Sequence, residues 1–188
     1  RQDSQYNLHV IYSVAKIAAK YALTIKASQL GMNFIYVLHS HVMGPDDDKN
    51  SFLQVTLQKL IGRDELIFST GEQYFDVVSV SDCALGYYLI CQKGRPGDEY
   101  WVGSGDPRPL KEYVERMYNL YPSGVEMQFG ELPYNDIILD KEVFSITKLA
   151  DVTGYKPVIA LEQIVKDLHD YLVECYPQKI LSNKTGEL

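Results

Sequence analysis

Tyr12 and Lys16 stand four residues apart in the run YSVAK. On a helix that spacing places both side chains on one face, where an ammonium close to a phenol favours its deprotonation. A phenol held this way suits proton exchange with a hydroxyl or carbonyl during hydride transfer, although the same spacing also describes an ordinary helix-surface pair. His39 and His41, two residues apart and followed by Asp46, Asp47 and Asp48, raise metal coordination, since on a strand both rings would face one side. No third and fourth ligand accompanies them at suitable spacing, so no metal site is expected. Contact with a nearby site and an ordinary structural role both remain open for the two histidines. Asp82 and Asp140 each precede an apparent helix and read as caps rather than as a catalytic carboxylate pair. Cys83 has no adjacent histidine base and is not taken as a nucleophile.

The elements that must position these groups belong to an α/β chain. The stretch from Ile11 to about Leu30 favours a helix, with Ala15, Ala18, Ala19 and Ala22 supplying propensity and Gly31 at the C-cap. Asn33 to Leu38 reads as a short buried strand, leading into a loop at Gly44 and Pro45. A helix from near Asn50 to Gly62 follows, then strands at Glu65–Ser69 and Tyr74–Val80. Ser81 or Asp82 is expected to cap a helix through Ala84 and Leu89. Glu99–Val102 is a strand, Pro109 opens a helix, and Val125–Phe129 is a strand. The run VGSGDPR reads as a surface turn. Tyr113, Tyr118 and Tyr121 fit either a substrate lobe or a packed helix edge. A short helix over Ser145–Val152 and a last one over Leu161–Cys175 complete the pattern. Residues 1–180 form one compact unit in this reading, and 181–188 a flexible tail.

The composition bounds the possibilities. The 188 residues are 46% apolar, enough for one substantial core, and carry 18 basic against 25 acidic side chains, a net charge of −7. No basic block offers a surface to nucleic acid or anionic lipid, and no apolar stretch approaches membrane-spanning length. The three cysteines, Cys83, Cys91 and Cys175, lack zinc or redox spacing and read as reduced thiols of a cytoplasmic protein. The opening RQDSQYNLH is neither a signal peptide nor a plausible natural start, so an internal beginning is expected.

Four segments occur in an informative order: YSVAK, VLHSHVMGPDD, FDVVSVSDCALGYY and DKEVFSITKLADVTGYKP. Together they resemble the C-terminal portion of extended short-chain dehydrogenases/reductases of the nucleotide-sugar epimerase/dehydratase type, over nearly the whole chain. The resemblance implies the end of a Rossmann-like sheet interleaved with a small mixed α/β substrate lobe, most of the cofactor-binding half lying outside this sequence. No glycine-rich dinucleotide turn precedes an early strand here. By resemblance Tyr12 is the catalytic acid/base. Lys16 contacts the nicotinamide ribose and favours the phenolate, and Tyr12, Lys16, His39 and His41 adjoin NAD or NADP. His41, Met43, Phe75 and Trp101 adjoin the substrate, a nucleotide-linked or related sugar.

Several positions depart from the family pattern. His41 stands where an asparagine is common, Met43 where a tyrosine is, and Leu38 and Phe75 where arginines are. Arginines in the region of position 75 often meet a substrate diphosphate, which Phe75 cannot do. The departures imply an altered substrate, an arginine supplied from elsewhere in the fold, or a binding protein without activity. The isolated chain is expected to bind no cofactor and to turn over no substrate, and a homodimer is expected by family resemblance.

Overall fold

Twenty-two residues without proline or glycine, from Leu8 to Gln29, form the first helix, α1. It ends as the glycine predicts. Gly31 takes φ +64°, the Met32 amide donates to Ala27 and the Gly31 amide to Ser28, so the last carbonyls find donors. The computed structural model describes residues 8–45, 51–134 and 138–175. The predicted tail, 181–188, and the three aspartates after Pro45 lie outside them.

After the turn the chain runs back as β1 (Tyr36–His39) and β2 (His41–Met43), separated at Ser40. The remaining elements are α2 (Phe52–Gly62), β3 (Leu66–Phe68), β4 (Tyr74–Phe75), β5 (Val77–Ser79), α3 (Val80–Lys93), β6 (Glu99–Val102), β7 (Arg108–Pro109), α4 (Leu110–Leu120), β8 (Met127–Phe129), a 3-10 turn at Lys141–Phe144, α5 (Thr147–Thr153) and α6 (Leu161–Cys175). β1 pairs with β6, β2 with β5 and β3 with β8, all parallel. β4 and β7 pair antiparallel, with Phe75 opposite Arg108. β5 and β6, which pair with successive parts of the run from β1 to β2, are joined through α3, which packs on both.

Two clusters hold these layers. The larger joins Leu53, Leu57 and Leu60 of α2 with Val114 and Met117 of α4, Met43 of β2, Val77 of β5, and Val165, Leu168 and Leu172 of α6. Residues 110, 113, 114 and 117 of α4 are all buried, the stripe that a 3.6-residue period lays on one face. The smaller joins Val78, Cys83, Ile90, Tyr100, Val102, Leu149 and Tyr155. Gly86 of α3 lies against Val102, where an added Cβ would fall 2.7 Å from a valine methyl.

The expected strand Tyr74–Val80 is divided by Asp76 and stops at Ser79. Ser79, not Ser81 or Asp82, caps α3: its hydroxyl accepts from the Asp82 amide at 2.9 Å and donates to the Asp82 carboxylate at 3.0 Å. Asp140 precedes the 3-10 turn without a side-chain cap bond. The strand expected at Asn33 begins at Tyr36, because the preceding residues are spent on the return from α1.

Candidate functional site

Tyr12 and Lys16 lie on α1 as the spacing requires, with the Lys16 ammonium 5.3 Å from the centroid of the Tyr12 ring. The phenol is 63% exposed. α1 meets the body through Lys20, which pairs with Glu99 and lies 4.8 Å over the Tyr36 ring. The later helix residues Thr24, Ala27 and Ser28 border the same cleft as Phe34, Pro96 and Gly97, which precede β1 and β6, so the helix runs antiparallel to those strands. Going back from Lys20 to Tyr12 covers about 12 Å of helix, and going forward from Tyr36 to His39 about 10 Å of strand. The chemical pair and the carboxyl end of β1 therefore lie at the same end of the molecule, where parallel sheets place their ligand crevices.

A buried carboxylate organises that end. Asp76, 1% exposed, accepts hydrogen bonds from the hydroxyls of Ser40 and Ser104 and from the Ser104 amide at 3.0 Å. Its carbonyl accepts from the His41 amide, and the Trp101 indole donates to Ser40 at 2.8 Å. Burial pushes the carboxyl above the usual range for aspartate, and the serine bonds act against that shift. Gly103 passes so close that a Cβ there would fall 2.5 Å from the Ser40 hydroxyl and overlap the carboxylate.

Beside this knot, the rings of His41 and Phe75 are 5.5 Å apart, and Phe75 meets Tyr113 edge to face at 6.1 Å. The buried Tyr113 hydroxyl donates to the Phe75 carbonyl at 3.2 Å, and burial together with Asp76 and Asp106 raises its phenol far above the usual tyrosine range. Arg108 is bound by Asp106 at 2.6 Å and by Glu112, and the Asp106 bond holds its guanidinium firmly charged.

The other predicted positions disperse. Ser40 separates the two histidines, so His39 lies 6.4 Å from Tyr87 of α3, with its Nδ1 2.8 Å from the Ser40 carbonyl oxygen, while His41 turns to Phe75. Met43 is 1% exposed within the larger cluster. The Trp101 ring packs against Phe144 at 5.5 Å. Among the described residues no group of acidic, histidine and cysteine side chains is placed to hold a metal. Asp82 does more than serve its helix, because it also accepts from the amides of Val158 and Ile159. The run VGSGDPR is more than a surface turn: Ser104 completes the Asp76 knot. A serine and a glycine next to a strand end were the available signal, but their partner lies 28 residues away.

An ammonium beside a phenol on a solvent-open helix face can donate to the hydroxyls of a ligand, and the sequence contains no glycine-rich turn that would receive a pyrophosphate.

Parallel strands joined by helical crossovers, with a chemical pair at their carboxyl end, define a Rossmann-like α/β protein. The comparisons agree. The NAD dependent epimerase/dehydratase family matches residues 1–103. CDP-abequose synthase of Salmonella typhimurium is 25% identical over 150 residues, covering 76% of this chain and 49% of that protein. The structure of RMD from Pseudomonas aeruginosa complexed with NADPH superposes with a TM-score of 0.76 at 19% identity, over 87% of this chain and 56% of the other. UDP-glucose 4-epimerase of Thermotoga maritima with UDP-glucose gives 0.76 at 20% identity, over 87% and 53%. The chain belongs to the NAD dependent epimerase/dehydratase family and spans about half the length of the relatives it matches.

Proposed function

We propose that this chain carries the proton-transfer residues and part of the substrate-binding surface of an NAD(P)-dependent enzyme acting on a nucleotide-linked sugar, as an epimerase, dehydratase or reductase. The observation that carries the reading is the Tyr12–Lys16 pair, ammonium against ring, at the carboxyl end of the parallel strands. Tyr12 exchanges the proton with the substrate oxygen, and Lys16 holds the ribose and stabilises the phenolate. The dinucleotide, when bound, supplies the hydride acceptor or donor. His39 and His41 border its nicotinamide end, and His41, Met43, Phe75 and Trp101 shape or support the substrate surface. Residues 1–180 act as one unit. The protein works in the cytoplasm as a homodimer, and the 188 residues alone bind no dinucleotide and are inactive.

The experiment is the absorbance change of the nicotinamide when the native full-length protein meets CDP-, dTDP- and UDP-linked sugars, with Tyr12→Phe alongside. Turnover that falls by about a thousandfold or more in Tyr12→Phe supports the reading, since loss of a positioned proton donor removes about 10²–10⁴-fold. Turnover unaffected by the change sinks it. Phe75 and Met43, both turned to packing, favour a second reading, a binding protein of the same fold without activity. Cofactor binding without turnover of any such sugar would favour that one.

A further inference from the structure

We propose that Arg108 and Arg116 form an anion-receiving site for the phosphate or diphosphate of the substrate, taking the place of the arginine that position 75 lacks. The substrate's identity here rests on the nucleotide-linked reading, whereas the site rests on register and cavity. In the antiparallel pair of β4 and β7, Arg108 is the residue directly opposite Phe75. Directly opposed residues project on the same face with Cα atoms about 5 Å apart, so the guanidinium emerges next door to the phenylalanine. It lines a cavity of about 240 Å³ together with Arg116, Tyr113, Ser104, Val158 and Leu161. Ser104 is two residues past the end of β6 and Val77 opens β5, so the cavity lies beside the break at Ser40 where β1 gives way to β2.

Both arginines are held in place by acids that can leave. Arg116 bonds Glu162 at 2.9 Å, and Arg108 bonds Asp106 and Glu112. The arginine side chains are 28% and 34% exposed, while those of Asp106 and Glu162 are 64% and 43% exposed. Ion pairs with exposed carboxylates are weak, and the acids regain water when they swing away. A phosphate group brings more charge and an oxygen geometry that matches the guanidinium fork, in a cavity already partly shielded from water. The carboxylates thus keep the cations oriented as monovalent partners that a polyvalent anion displaces.

The test is calorimetric titration of inorganic pyrophosphate into this chain at low and at moderate salt, with no cofactor or sugar present. Saturable binding is expected that weakens with salt, and Arg108→Gln or Arg116→Gln should each weaken it about tenfold, the order lost with a charge-assisted bidentate contact. Glu162→Gln should tighten it by releasing Arg116, a change that a merely structural role would not produce. Arg95→Gln, on the loop after α3, should leave it unchanged. Should Arg108→Gln fail to fold, Arg108→Lys keeps the charge, loses the fork and should still weaken binding. The proposal is overturned by absence of saturable binding in the wild type, by binding that survives loss of either arginine, or by Glu162→Gln leaving affinity unchanged. Hydride transfer with no pyrophosphate site would refute this proposal alone. A pyrophosphate site at Arg108 without hydride transfer would refute the proposed function alone.

Discussion

Asp76 is the residue on which the end of the sheet depends, and its behaviour can be predicted in sign. Aspartate ordinarily titrates at 3.8, the value taken for the unfolded chain, and in the fold Asp76 is raised above it because burial disfavours the charge. The folded chain therefore holds the proton more tightly. Stability from that preference is complete below the unfolded value and is lost as pH rises through the folded one. Asp76→Asn removes the ionisation and keeps an acceptor for the Ser104 amide. Urea midpoints between about pH 4 and 7 should move in favour of the asparagine variant as pH rises, relative to wild type. A difference independent of pH would rule out the buried charge as the cause. Gly103→Ala should cost about 1–3 kcal/mol by urea unfolding, the range for overpacking, since neither the carboxylate nor the strand can retreat. Alanine at the solvent-open Gly31 meets no atom within 4 Å and pays only for its φ of +64°. Tyr12 and Lys16 could be read from sequence because four residues on a helix is a local relation. Asp76 could not: its partners Ser40 and Ser104 lie 36 and 28 residues away, and nothing in the run FDVV marks the aspartate as buried.

Helices were legible from period and caps, and strands less so. Leu110, Val114 and Met117 announce the buried face of α4, and Gly31 announces the end of α1. The breaks at Ser40 and Asp76 were hidden, because each depends on a hydroxyl–carboxylate bond between strands rather than on a turn residue. α1 itself is the element whose propensity and packing diverge most. Ile11, Val14, Ile17, Tyr21 and Ile25 are all more than half exposed, and among the described residues Lys20 ties the helix to the body through Glu99 and the Tyr36 ring. A helix with so little tertiary burial opens locally at low free energy. Amide exchange in this chain at low concentration should be faster by orders of magnitude over residues 11–29 than over the buried face of α6. Equal protection in the two helices would mean that some surface covers α1 even there.

At the scale of the molecule, one side chain joins the two clusters. Asp82 stands on α3, which packs on the smaller cluster, and its carboxylate accepts the amides of Val158 and Ile159 just ahead of α6, which closes the larger one. The bond crosses 77 residues, so a long loop is closed through it. Hydrogen bonds to a charged acceptor contribute about 1.5–3 kcal/mol apiece, and their loss leaves amides without their acceptor. Asp82→Ala should therefore lower stability by about 3 kcal/mol or more. It should also change the shape of unfolding. Wild type should lose Tyr and Trp fluorescence and far-ultraviolet dichroism in one coincident transition, because the clusters share β2, β5 and this clamp. In Asp82→Ala the smaller cluster, which contains Trp101's neighbours Tyr100 and Val102, no longer reports on α6, so fluorescence and dichroism midpoints should separate and the denaturant slope fall. Asp82→Asn, which keeps one acceptor oxygen, should preserve coincidence at reduced stability. Coincident transitions in Asp82→Ala would show that the strands alone unite the two clusters.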